Sequence, residues 1–295
     1  MRLRDFILCS LLAAPCSLVA QQKVDFRRSA SPTVSVRLGG AFTTIRIIGW
    51  DRDSVDLTGS LSANSKMDGG AMAGPGPTTG MKFWIDAPDQ ASAKNNRLEL
   101  RVPRNARVWI KSGSADIDAA DVTGGLDLNI VGGSVKVSGK PRELIVESMD
   151  GNVTCVGAPE YAKLKTATGD ITLQGGGEDI TLTTVSGTIN ASDGTIQRGR
   201  FESVTGVINF GANLARGGEA RFDTHSGNVE LRFDRSAGVE VDAASVTGSI
   251  ENLYSKTRAV AGREGRGMEL GVPGAAGGPH VTVRTFKGNV RLTSR

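Results

Sequence analysis

The stretch TTVSGTINAS, from Thr183 to Ser192, decides the fold because its pattern returns along most of the chain. A glycine, Gly187, separates two short segments in which apolar residues alternate with hydroxyl or other polar residues. Alternation with a period of two is typical of β-strands that bury one face. The stretch therefore predicts two short strands that meet at a glycine.

Equivalent glycines recur at intervals of 18 to 21 residues, and the last interval is 40 residues long. The nine predicted corner glycines are Gly113, Gly133, Gly151, Gly169, Gly187, Gly206, Gly227, Gly248 and Gly288. Two residues after each of them stands Ala, Val or Ile. Self-similarity at a period of about 20 residues is the signature of a repeat architecture.

The repeat is too short to place a helix between two parallel strands, which rules out βαβ units. Each strand must then pair with the same strand of the next repeat, about 4.8 Å away. One repeat cannot bury its own apolar face, so the stack is the unit of stability. The sequence predicts an all-β fold, a parallel β-helix or β-solenoid with about 18–21 residues per coil.

The recurring glycine marks a change of parity within each coil. Leu182 lies five residues before Gly187, whereas Ile189 lies two residues after it. Counted from the glycine, inward residues therefore stand at odd distances before it and at even distances after it. Such a change requires a corner or a bulge, where glycine is the least strained residue. We therefore interpret these glycines as architectural, not as part of a ligand-binding loop.

A column of mostly apolar residues stands two positions before the glycines. Its large apolar members are Val131, Met149, Val185, Val204, Val246 and Phe286. Strict alternation turns this column outward, where it would form a docking stripe. The alternative, which the sequence favours, is that the corner bends early, turns the column inward and leaves the neighbouring hydroxyls in water.

The chain divides into three parts. Residues 1–20 are predicted to be a signal peptide, residues 21–110 N-terminal strands and a cap, and residues 111–295 the solenoid repeats. A glycine-rich loop at 61–80 is expected to be mobile, and residues 255–280 interrupt the repeats as a hairpin or loop. Uncovered solenoid ends would favour end-to-end self-association.

The N-terminus, MRLRDFILCSLLAAPCSLVAQQ, has the layout of a secretory signal: two arginines, a short apolar run and small residues, with cleavage near Ala20. Loss of Arg2, Arg4 and Asp5 lowers the net charge from +4 to +3. A nearly neutral chain without a basic block disfavours nucleic-acid binding, and no run is long enough for a transmembrane span. Cys155 is then the single cysteine, so no intramolecular disulfide is expected.

Three kinds of segment resemble the bacterial putative-adhesin family, a group of secreted or membrane-attached β-solenoid domains of unknown function. They are IRIIGWDRDSVDL at 45–57, LELRVPRNARVWIKSGSADI at 98–117, and the tiles TVSGTI, THSGNV and SVTGSI. The resemblance covers about residues 33 to 295. It implies a right-handed parallel β-helix and a secreted, periplasmic or cell-surface location, and it carries over no catalytic residue.

The sequence offers no convincing catalytic, cofactor or metal constellation. His225 and His280 are far apart, and a zinc site would need more clustered ligands. The candidate carboxylates are Asp116, Asp150, Asp170, Glu178 and Asp179, which occupy differing positions of the repeat. We therefore expect no catalytic residue, no cofactor and no metal.

Three functions remain open. The favoured one is a non-enzymatic, adhesin-like surface protein whose ligand is a glycan or an envelope protein. The second is a carbohydrate-active β-helix enzyme, a lyase or hydrolase, which would need several ionisable groups converging in a groove on one solenoid face. The third is an envelope scaffold that assembles through the solenoid ends.

Overall fold

The computed structural model describes residues 21–72, 74–262 and 266–295, in which nearly all of the regular secondary structure is β-strand. The predicted signal peptide at 1–20 lies outside the described residues. The strands are β1 Gln21–Gly40, β2 Thr44–Trp50, β3 Ser54–Ser62, β4 Lys66–Ala71, β5 Thr78–Asp86, β6 Arg97–Pro103, β7 Arg107–Ala120, β8 Gly125–Gly139, β9 Glu143–Ser148, β10 Asn152–Gly157, β11 Tyr161–Lys165, β12 Ile171–Gly175, β13 Gly177–Thr184, β14 Ile189–Ser203, β15 Ile208–Thr224, β16 Val229–Phe233, β17 Glu240–Ser245, β18 Ile250–Asn252, β19 Val260–Ala261, β20 Met268–Val272, β21 His280–Thr285 and β22 Val290–Ser294. The short helix α1 spans Gln90–Ala93, and a 3₁₀ turn spans Arg235–Ala237. No helix within these ranges is both long and apolar enough to cross a bilayer.

Each coil contributes one strand segment before the corner and one after it, and these form two stacks of parallel strands. In the first stack, Leu144 pairs with Ala162, which pairs with Ile180. In the second, Val153 pairs with Ile171. All five side chains are buried, so like residues stack on like along the core. The predicted all-β solenoid is confirmed, while its handedness stays a prediction.

At four of the corners, the hydroxyl three residues before the glycine accepts a hydrogen bond from the glycine amide. The Gly187 N–H donates to Thr184 Oγ1 at 3.1 Å. The same bond joins Gly151 to Ser148, Gly248 to Ser245 and Gly288 to Thr285 at 2.8 to 2.9 Å. A buried N–H without a partner is costly, so this hydroxyl must point inward.

The glycines are required because successive coils approach each other closely at the corner. A Cβ on Gly187 would collide with the carbonyl oxygen of Gly169, and a Cβ on Gly206 would collide with that of Gly187. Among the nine predicted corner glycines, only Gly133 has a positive φ, of 98°. The reason for glycine is therefore mainly the carbonyl of the neighbouring coil, with little contribution from backbone strain.

Gly113 is not a corner glycine, and its assignment as one is wrong. Strand β7 runs straight through it, and Ala115 is the residue that pairs with Gly133. Likewise Ile117, not Ala115, stacks on Val135. The first coil is therefore offset from the second by 18 residues, and the apparent interval of 20 came from aligning the wrong glycine.

The C-terminal coil is inserted into the stack out of sequence order. Strand β21 lies between β15 and β17, and β22 lies between β16 and β18. Side-chain bonds follow the same order, since Asn289 N–H donates to Asn228 Oδ1 and Ser249 N–H donates to Asn289 Oδ1, both at 2.9 Å. The Gly248 coil is thus the outermost one, and the 40 residues that follow Gly248 lead the chain back to the coil beneath it.

Antiparallel strands end both stacks at the N-terminal end and the first stack at the C-terminal end, where the second stack ends in β18. At the C-terminal end, β20 runs antiparallel to β17 and pairs with β19, which realises the hairpin predicted within 255–280. At the N-terminal end, β4 runs antiparallel to β5, and β3 runs antiparallel to β6. Residues 66–71, expected to belong to a mobile loop, thus form an edge strand.

Candidate functional site

The apolar column two residues before the corner glycines faces solvent, and the inward orientation favoured from the sequence is wrong. Its six large members, here called the corner stripe, are Val131, Met149, Val185, Val204, Val246 and Phe286, each 44 to 56% exposed. Thr184, which binds the Gly187 amide, is buried instead. The corner therefore turns the next two side chains, Val185 and Ser186, outward together.

The corner stripe follows the order of the coils in space. The imidazole of His225 stacks on the ring of Phe286, with centroids 5.2 Å apart and planes 11° from parallel. Phe286 therefore separates His225 from Val246. With about 4.8 Å per coil, the stripe is about 34 Å long, and it is interrupted at Ala167 and His225.

The candidate carboxylates do not converge, because neighbouring coils engage them separately. Asp116 Oδ1 accepts from Ser134 Oγ at 2.6 Å, and Asp150 accepts from Thr168 in the next coil. Asp170 Oδ1 accepts the Thr188 N–H at 2.7 Å. Asp179 forms an ion pair with Arg198 at 3.3 Å. Glu178 is exposed. Four of these carboxylates are engaged by the next coil, and the five form no common site.

A groove that the sequence analysis missed lies on the outer face of the first stack near its N-terminal end. Its volume is about 660 Å³. The side chains that shape it, here the tryptophan groove, are those of Arg37, Lys82, Trp84, Arg107, Trp109, Asp127, Glu143 and Ile145. They come from the adjacent strands β5, β1, β7, β8 and β9, in that order.

Gly39 shapes one wall of the tryptophan groove. A Cβ at this position would collide with the indole ring of Trp84, so the ring lies against the bare backbone of Gly39. The Trp84 indole Nε1–H donates to Asp86 Oδ1 at 2.8 Å, and its side chain is 41% exposed. Trp109 lies beside Arg37 and Asp127 in the strand register. Two indoles are thus held on one sheet face.

The alternation of the sequence contained a signal for these tryptophans. Trp84 stands between Phe83 and Ile85, which are both buried, and Trp109 stands between buried Val108 and Ile110. An indole between two inward residues of a strand must face outward. Their proximity depends on the pairing of β1 with both β5 and β7, which no local pattern encodes.

The charges of the tryptophan groove are of both signs. Arg37, Lys82 and Arg107 form no ion pair within 4 Å among the described residues. Partial burial raises the pKa of the Asp127 carboxyl, and repulsion from Glu147 and Glu143 adds to this, against the opposing hydrogen bond from Asn129. The groove therefore offers three available cations and one carboxyl that holds its proton more tightly than usual.

Cys155 is excluded as a nucleophile. Its side chain is 1% exposed within the core of the second stack. Burial raises the pKa of the thiol to about 12, whereas the thiolate is the reactive form. This residue packs the core, as its column predicts.

One cluster of metal-ligating side chains forms at the C-terminal end, although the sequence indicates none. His280 on β21 lies opposite Glu240 on β17, and Asp242 follows on the same face. One donor atom of each lies within 4.8 Å of those of the other two. His280 lies 40 positions after Glu240 and 38 after Asp242, and it meets them only because β21 inserts beside β17.

Comparison with solved structures gives three examples of similar chains. A putative adhesin from Parabacteroides distasonis shares 11% identity, with 92% of this chain and 97% of that chain covered and a TM-score of 0.46. A putative adhesin from Bacteroides fragilis shares 12%, covering 93% and 98%, with a TM-score of 0.42. A putative cell adhesion protein from Clostridium sporogenes shares 10%, covering 93% and 100%, with a TM-score of 0.20. Likeness at this level carries no functional conclusion.

A search of curated proteins found no match. The family model for Toastrack DUF4097, a domain of unknown function, matches residues 42–293. That match covers the corners, the strands of both stacks after β1, the His280 cluster and the tryptophan groove apart from Arg37. The bacterial family resemblance drawn from the sequence is confirmed, and the chain belongs to the Toastrack DUF4097 family.

Proposed function

We propose that this protein is a secreted or envelope-associated, non-enzymatic binding protein that holds a surface glycan in the tryptophan groove. The observation that carries the proposal is the pair of outward indoles, Trp84 and Trp109, beside three cations without ion-pair partners in the described structure. The secreted location rests on the signal-like pattern of residues 1–20.

The groove suits a sugar chain for two physical reasons. An indole offers a flat apolar surface with a polar edge, which matches the apolar C–H faces and polar rim of a pyranose ring. Arg37, Lys82 and Arg107 supply charge-assisted donors for carboxylate or sulfate substituents. The open sheet face admits a chain that continues beyond the groove, so the interior of an acidic polysaccharide fits as well as its end.

A binding screen tests the proposal. The mature protein is applied to an array of acidic and neutral glycans and to extracts of cell envelopes. We expect binding to acidic glycans that falls at least about tenfold in Trp109→Ala, since loss of a buried aromatic contact costs about 2 kcal/mol or more at a binding hot spot. Arg200→Ala, on the same stack but several coils away, should bind as the wild type does. Absence of glycan binding, or equal loss in both variants, would contradict the proposal.

A carbohydrate-active enzyme is the second candidate, because the groove gathers several ionisable groups on one face. Asp127 has a raised pKa and lies in the groove with Glu143, and a carboxyl that keeps its proton is the usual general acid of glycosidases. Incubation with the glycans that bind, followed by product analysis, separates the two functions. Release of fragments by the wild type and its loss in Asp127→Asn would establish the enzyme. Glycans that stay intact would favour the non-enzymatic binding protein.

The corner stripe supports a separate docking surface for an envelope protein. Exposed apolar side chains repeated along one edge are a common mark of interaction sites. Purified envelope proteins that bind the wild type should lose affinity for Val185→Ser/Val204→Ser, which leaves the groove unchanged. Equal binding by both forms would show that the corner stripe is not the docking surface.

A further inference from the structure

The side chains of His280, Glu240 and Asp242 form a compact donor set on the outer face of the first stack. His280 Nδ1 lies 3.7 Å from Glu240 Oε2, and His280 Nε2 lies 3.9 Å from Asp242 Oδ2. Within the described part of the chain, His280 is the single cationic side chain within 4 Å of either carboxylate. With a neutral imidazole the cluster carries a charge of −2, and no Lys or Arg nitrogen of the described residues lies within 4 Å of either carboxylate, although Arg284 donates to the Asp242 main-chain carbonyl at 3.4 Å.

The imidazole is also held by a hydroxyl. Thr282 Oγ1 lies 3.2 Å from His280 Nε2. A polar partner on one ring nitrogen fixes the orientation of the imidazole, as is common for histidine ligands of metals. Thr282 and His280 share one face of β21, because residues two apart in a strand point the same way.

We propose that His280, Glu240 and Asp242 bind one divalent transition-metal ion, with Zn²⁺ as the best fit. One imidazole and two carboxylates are ligands that Zn²⁺ accepts at about 2.0 to 2.2 Å. The three donor atoms lie within 4.8 Å of one another, so a small approach would let one ion contact all of them. All three side chains are partly exposed, at 40 to 55%, which leaves water as the remaining ligand. Calcium and magnesium prefer sites made only of oxygen ligands.

The position of the ion gives it a structural role. Glu240 and Asp242 lie on β17 of the outermost coil, and His280 begins β21, the strand inserted beneath it. An ion across this pair of strands joins segments that come from opposite sides of the 40-residue passage. An ion that binds the folded chain and not the unfolded chain stabilises the fold by mass action. The metal therefore links β17 to β21 and stabilises the C-terminal end of the solenoid.

Titration calorimetry of the metal-free mature protein with zinc chloride near neutral pH tests this site, with melting curves recorded in zinc and in chelator. We expect one ion per chain, a higher melting temperature in zinc, and an affinity at least about tenfold lower for His280→Gln. Glu240→Gln is a second variant, in case the first folds poorly. His225→Gln is the matched control, because the chain has two histidines and His225 lies at the corner.

The His225→Gln variant should bind zinc as the wild type does. No binding by the wild type, or unchanged binding in both His280→Gln and Glu240→Gln, would overturn the proposal. Equal loss in the His225 and His280 variants would also overturn it, because the ion would then lie elsewhere or bridge several chains. None of these outcomes depends on glycan binding in the tryptophan groove.

Discussion

The Gly187 corner depends on one glycine and one hydroxyl. The hydroxyl of Thr184 satisfies the amide of Gly187, and the missing side chain of Gly187 makes room for the carbonyl of Gly169. The first interaction is a local hydrogen bond of a kind that Ser and Thr commonly make in turns. The second acts between coils, which is why the glycine repeats with the period of the stack.

Gly187→Ala should destabilise the protein, because the new methyl group collides with main-chain atoms that cannot rotate away. We expect a loss of about 1 to 3 kcal/mol in the free energy of unfolding, as for other overpacked interiors. Chemical denaturation measures it.

Gly113→Ala is the control, because nothing lies within 4 Å of a Cβ at that position. Its free energy of unfolding should stay within about 0.5 kcal/mol of the wild type. Equal losses in the two variants would contradict the corner geometry and would return Gly113 to the column of corner glycines.

Asp127 gives the stability of the folded chain a predictable pH dependence. Its pKa is raised on folding from an ordinary value of about 3.9, so the folded chain binds more protons than the unfolded chain between that value and the raised one. Stability contributed by this group is therefore present at lower pH and lost as pH rises through the folded-state pKa.

Asp127→Asn should remove that part of the pH dependence. Relative to the wild type, the variant should gain melting temperature as pH rises from about 4 to neutral. Thermal denaturation at several pH values measures the difference. If the melting temperature of the wild type instead rises relative to that of the variant over this range, the ionised carboxylate is stabilised in the fold.

Among the elements, the inserted C-terminal coil is the feature that most departs from sequence order. The tiles around Gly248 and Gly288 have the same pattern of hydroxyl, apolar residue and glycine, so either of them can stack on the Gly227 coil. The chain places Gly288 there, and β20 then covers the outer coil.

A pair of cysteines tests this order. His225→Cys/Phe286→Cys should form a disulfide under mild oxidation, because adjacent strands are about 4.8 Å apart and a disulfide joins Cα atoms about 4.4 to 6.8 Å apart. Mass spectrometry detects the bond.

His225→Cys/Val246→Cys should stay reduced, since one coil separates these positions and sets them about 10 Å apart. Bond formation by this second pair, with none by the first, would restore the sequential order of coils. Cys155 does not interfere, because it is buried.

The elements also show what the sequence could and could not predict. The columns at Ile171, Ile189 and Ile208 were predictable because the inward period of two and the coil period are both local patterns. The orientation of Val185 was misjudged, since the bond from the Gly187 amide to Thr184 decides which residue turns inward. The tryptophan groove and the His280 cluster depend on pairings between distant segments, which repeat periodicity does not specify.

For the molecule as a whole, the antiparallel strands at both ends of the first stack favour a monomer. The antiparallel strand β20 occupies the free edge of β17, and β4 occupies that of β5, so neither of these edges offers a parallel strand to another chain. We expect light scattering of the mature protein to give a monomer mass over a wide range of concentration.

Gly271→Pro should break this cap, because Gly271 of β20 pairs with Asp242 of β17 and proline is disfavoured inside a paired strand. Association that rises with concentration is the expected result. Ala276→Pro, in the exposed turn that follows, should remain monomeric. Association of the wild type itself would favour the scaffold function instead.

Tryptophan fluorescence tests whether the folded solenoid binds a glycan over Trp84 and Trp109. The chain has three tryptophans, and Trp50 lies in the second stack, where its indole donates to the Ser54 carbonyl. Titration with an acidic glycan from the screen should change the emission of the wild type and of Trp50→Phe alike. The change should disappear in Trp84→Phe/Trp109→Phe. A change that persists in this double variant, or that vanishes in Trp50→Phe, would contradict the account.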